Sequence, residues 1–60
     1  SIYPLTVIYP RGDSLWTVAK ENHTAPERIA ALNRLTAPVS TWQSPESLHG
    51  KNALILENKQ

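Results

Sequence analysis

A chain of 60 residues holds at most one domain, and without cysteine it has neither a disulfide staple nor a thiolate for metal binding or nucleophilic attack. Its 40% hydrophobic and 18% charged residues mark a globular rather than a disordered chain, and a net charge of +1 gives no footing for nucleic acid or an anionic membrane surface. No run is long and apolar enough to span a bilayer, no secretory leader is visible, and the abrupt opening Ser1-Ile2-Tyr3-Pro4 suggests a module cut from a longer protein.

The first predicted strand is Leu5 to Tyr9, bounded by Pro4 and Pro10. Leu5, Val7 and Tyr9 alternate with Thr6 and Ile8, so the set of three is expected to face inward. Gly12 then supplies a turn, and Asp13 is the expected N-cap of a helix over about residues 14 to 22, with Ser14 as the alternative cap. Leu15, Val18, Ala19 and Asn22 fall on one face of that helix, and Lys20 sits late in it, where a cation favours the macrodipole. A second helix starts at Pro26, whose missing N–H costs nothing at the first helical position. Glu27 follows where negative charge helps, although Ala25 makes a poor cap. Ile29, Leu32 and Asn33 share a face, with Leu35 closing the end.

The stretch Thr36 to Leu48 has neither a helical nor a strand period and is predicted as a loop, long for so small a domain. After a turn at Gly50, Ala53 to Glu57 reads as a second strand with Leu54 and Leu56 on one face. The order strand, helix, helix, strand predicts an α+β domain: a βααβ unit whose two strands pair antiparallel and carry both helices on one face of the sheet. The expected core is Leu5, Val7, Tyr9, Leu15, Val18, Ala19, Ile29, Leu32, Leu35, Leu54 and Leu56, with Trp16 and Leu48 at its edges.

Chemistry is harder to find than fold. Ser14, His23 and Asp13 do not make a triad, because Asp13 and Ser14 are neighbours at a helix start and His23 lies at or past its far end. Glu21, Glu27, Glu46 and Glu57 form no inward pair that spacing identifies, and His23 and His49 lack further metal ligands. No catalytic residue, metal or cofactor is expected. The tetrapeptide Arg11-Gly12-Asp13-Ser14 matches the one that integrin-type receptors recognise. That recognition needs a free carboxylate, whereas Asp13 is expected to be held by the helix N-terminus.

One block is specific. Val7-x-Tyr9-x-x-Gly12-Asp13-Ser14-Leu15-Trp16-x-Val18-Ala19 resembles the N-terminal half of the lysin motif, LysM. Ile29-x-x-Leu32-Asn33-x-Leu35 is similar to its second helix and exit, and His49-Gly50-Lys51-x-x-Leu54-x-Leu56 is similar to its closing strand. Together these cover nearly all of residues 1–60, as a single domain. Three departures stand out: Arg11 where proline is usual, Ala25 for the serine cap, and a connection from Leu35 to Leu48 about twice the family's usual length.

The resemblance implies a non-catalytic module that binds N-acetylglucosamine-containing glycans, peptidoglycan or chitin, and targets a parent protein to the cell wall or another extracytoplasmic site. It places the ligand in a shallow groove between the turn at Gly12, Asp13, Ser14 and Leu15 and the extended loop 36–48, where Pro38, Val39 and Trp42 are the candidate contacts. Trp42 is either an exposed contact or a plug on a small core, and Trp16 is expected to pack rather than bind. The alternative is a protein-docking module of an envelope or spore-coat assembly, using the same loop and its tryptophan as an anchor.

Overall fold

The computed structural model describes residues 4–49 and 51–57. Gly50, the expected turn before the second strand, lies outside the described residues. Strand β1 (Leu5–Ile8) is followed by helices α1 (Leu15–Glu21) and α2 (Pro26–Asn33), two single 3-10 turns at Val39–Thr41 and Pro45–Leu48, and strand β2 (Leu54–Glu57). The two strands pair antiparallel, so the ends of the domain meet, and this is the expected βααβ arrangement. The long connection is not the structureless loop its composition suggests: each 3-10 turn starts after an extended residue, Pro38 or Ser44.

The register corrects the reading of β1. Ile8 pairs with Leu54 and Thr6 with Leu56, while Val7 pairs with Ile55 and Leu5 with Glu57. Directly paired residues share a face of the sheet. Leu54 and Leu56 are buried, so Ile8 turns toward the helices and Leu5 and Val7 turn away. Leu5, Val7 and Tyr9 are accordingly exposed, at 60%, 51% and 69%. The core is Leu15, Val18, Ala19, Ile29, Leu48, Leu54 and Leu56, with Ile8, Ala30, Leu35 and Trp42 packed against it. Leu48 is thus a core residue and not an edge one, whereas Leu32, expected in the core, is 38% exposed.

Both helices end in the same way. His23 and Arg34 adopt left-handed backbone, φ 56° and 54°. After α1, the Thr24 N–H donates to the Ala19 carbonyl at 2.9 Å; after α2, the Leu35 N–H donates to that of Ala30 at 2.9 Å. These are Schellman closures, which satisfy carbonyls that the last helical turn leaves open.

Asn33 joins α2 to the sheet. Its Oδ1 accepts the Ile55 N–H at 2.7 Å, and its Nδ2 donates to the Ile55 carbonyl at 2.9 Å and to the Ile29 carbonyl at 2.8 Å. One side-chain amide therefore does for β2 what a third strand would do, pairing both backbone groups of Ile55.

Candidate functional site

The turn after β1 and the long loop come together at the start of α1. Gly12 has φ 71°, a left-handed conformation that its missing Cβ makes cheap, and this turns the chain into the helix. The cap is Ser14, not Asp13. Ser14 Oγ accepts the Thr17 N–H at 3.1 Å and donates to Thr17 Oγ1 at 3.0 Å. With extended backbone at Ser14 (φ −93°, ψ 161°), Leu15 becomes the first helical residue. The ground for setting aside the Arg11-Gly12-Asp13 reading, a carboxylate held as helix cap, therefore falls away. The rest of that tetrapeptide is no extended display: Ser14 is buried and Gly12 is folded into the turn.

The long loop completes the helix start. The Leu15 N–H donates to Ser47 Oγ at 2.8 Å, and Ser47 Oγ in turn donates to the Ser44 carbonyl at 2.7 Å. The Trp16 N–H donates to the Trp42 carbonyl at 2.9 Å, and the Val18 N–H to the Ser14 carbonyl at 3.0 Å. All four N–H groups of the first turn, from Leu15 to Val18, are thereby taken by the protein itself. The macrodipole's positive end is present, but it has no open donor for a ligand.

The sequence-derived contact residues separate into two groups. Gly12, Pro38 and Val39 are exposed, Val39 at 71%, and Asp13 is half-buried. Leu15 is 0% exposed, which corrects its expected place at the side of the groove: its side chain is core and only its backbone belongs to the turn. Ser14 is likewise buried as a cap. Trp42 is half-buried against the core, and its indole Nε1 donates to the Ala37 carbonyl at 3.0 Å, so its plug role accounts for both its ring and its polar edge. Trp16, expected to pack, is 43% exposed, with Lys20 Nζ 5.1 Å from the ring centroid. The signal that would have found it is the helical period: Trp16 lies off the Leu15, Val18, Ala19 stripe.

The loop also encloses space of its own. Its two halves and the end of α2 surround an open cleft of about 540 Å³, lined among others by Arg34, Pro38, Thr41, Glu46, His49 and Lys51. No residue of the Gly12–Leu15 turn lines it. Among the described residues no group of three or more potential metal ligands occurs, and no helix is long and apolar enough to cross a membrane.

No curated protein and no solved structure matches the chain significantly. The family model of the LysM domain matches residues 11–39, from the turn before α1 through α2 to the first 3-10 turn. LysM domains generally bind N-acetylglucosamine-containing glycans as non-catalytic modules, and are commonly extracytoplasmic or wall-associated. By that match, and by its two antiparallel strands and two helices in βααβ order, the chain is similar to LysM domains and consistent with their fold.

Proposed function

We propose that this domain is a non-catalytic binding module for N-acetylglucosamine-containing glycans, peptidoglycan or chitin, that holds a parent protein at the cell wall. The observation that carries this reading is the meeting of the Gly12 turn with the extended loop at the head of α1, through the Leu15–Ser47 and Trp16–Trp42 bonds. A glycan chain is long, polar and apolar by turns, and suits a shallow surface with scattered backbone groups better than a deep cavity. Because the first turn of α1 has no donor to spare, the acetamido groups meet the backbone of Gly12 and Asp13, while sugar faces and acetyl methyls rest on Pro38 and Val39. Trp42 packs on the core and anchors the loop that carries Pro38 and Val39, and Trp16 offers an exposed indole face at the start of α1.

Titration of the labelled domain with chitin oligomers and soluble peptidoglycan fragments, followed at backbone amides, tests the reading. Perturbations confined to residues 12–15 and 36–48 are expected. Silence at millimolar sugar, with a protein partner recovered whose binding depends on the exposed Val39, would replace it with a protein-docking module.

A further inference from the structure

The cleft inside the extended loop differs in chemistry from the surface just described. Arg34, at the end of α2, lines it together with His49 and Lys51, and Glu46 is the single acid among the described lining residues. All four side chains are exposed to solvent. Two of the three hydroxyls there are already committed: Thr41 Oγ1 donates to the Pro38 carbonyl at 2.7 Å, and Ser47 Oγ serves Leu15 and Ser44. What remains to greet a ligand is the Thr36 hydroxyl, a fork of guanidinium donors, an ammonium and an imidazole. A cation at Arg34 is partly explained by the carbonyl end of α2 beside it. That explanation does not reach His49 and Lys51, which follow the second 3-10 turn and lie at the end of no α-helix.

We infer that this cleft is a second binding site, one for a carboxylate carried by the glycan, so that the domain prefers acid-bearing peptidoglycan to neutral chitin. The inference rests on the glycan reading above and adds the substrate class. Arg34 offers the planar, two-pronged donor set that matches a carboxylate, and Lys51, lining the same cleft, adds a point charge. Arg34 itself sits in the left-handed closure of α2, at φ 54°, and lines the cleft from there. Glu46 opposes the same ligand and keeps the site weak. Because the groups are solvent-exposed, each pair contributes modestly and is screened by salt.

The test compares four tetrasaccharides binding to the intact domain: a neutral N-acetylglucosamine tetramer, an alternating tetramer with free lactyl carboxylates, the same tetramer with those carboxylates amidated, and one whose lactyl groups carry a peptide with free carboxylates. At low salt the acid-bearing ligands are expected to bind about fivefold more tightly than the neutral and amidated ones, with amide perturbations at residues 34–38 and 46–51. Whichever acid-bearing ligand is tighter identifies the source, lactyl or peptide. In the double variant Arg34→Asn, Lys51→Gln the ratio should fall to about one, since both positions are exposed and asparagine tolerates left-handed backbone. Glu46→Gln should tighten the acid-bearing ligands about twofold and leave the neutral one unchanged. Equal binding of all four ligands, or a preference that survives the double variant, overturns the inference and leaves the glycan reading intact. Binding of none overturns both.

Discussion

The two helices of this domain begin in opposite ways. At α1 every first-turn N–H has a partner, and two of the four partners come from a loop about thirty residues downstream. At α2 the residue before the helix is Ala25, which makes no side-chain cap, and the chain relies on Pro26 having no N–H to satisfy and on the Glu27 carboxylate near the positive end. The helices are nearly equal in length and end in the same Schellman closure. The difference therefore lies in what is asked of each start. The head of α1 is buried beneath the loop, where an unpaired donor is costly. The head of α2 is only half-buried, where water can serve. The start of α1 is a tertiary structure, and that of α2 is a local one.

Four substitutions would break or sharpen this contrast. Trp42→Ala removes the loop's anchor on the core along with the residue whose carbonyl position serves Trp16, and should cost about 3 kcal/mol, close to the whole stability of a domain this small. Chemical denaturation would measure it, and a loss under 1 kcal/mol would mean that the loop is not held by its tryptophan. Ser47→Ala leaves the buried Leu15 N–H without its acceptor and should cost about 2 kcal/mol. The amide of Leu15 should exchange with solvent faster in that variant while those of α2 do not change; equal effects on both helices would contradict the separation. Ser14→Ala takes away the local cap and should lower stability by about 1 kcal/mol, readable as a shift in the urea midpoint at constant slope. Last, Ala25→Asp supplies the cap that α2 lacks and should raise stability by about 1 kcal/mol. If it instead proved neutral, Pro26 and solvent would already satisfy that helix start.

The same contrast explains how far the fold and the site were legible in the sequence. Local signals were strong where a single residue dictates geometry: Gly12 for the turn, Pro26 for the first position of α2, the Leu15, Val18, Ala19 stripe for the buried face. Asp13 and Ser14 are both good caps, but the Leu15 and Trp16 N–H groups that an Asp13 cap would serve are taken by Ser47 Oγ and the Trp42 carbonyl, far along the chain. The face of β1 was misread for a related reason. Three apolar residues against one favoured Leu5, Val7 and Tyr9, but register is set by the partner strand, and Leu54 and Leu56 had the stronger claim on the core. The extended loop showed no period because its two turns are single and 3-10, too short to repeat. Its cleft is lined by residues 34–38, Thr41, Glu46, Ser47, His49 and Lys51, which no pattern in the sequence links.

The amide of Asn33 has a bearing on how such a domain behaves in company. A two-stranded sheet has two open margins, and an unoccupied margin invites a neighbouring molecule to add a strand and start an aggregate. On the β2 side that invitation is withdrawn at its midpoint, because the N–H and C=O of Ile55 are already claimed. On the β1 side Pro4 and Pro10 flank the strand, and proline cannot donate to an incoming chain. Replacing Asn33 by leucine would therefore do more than loosen a helix from a sheet: it would bare a sticky seam along β2, and turbidity at high protein concentration would reveal it.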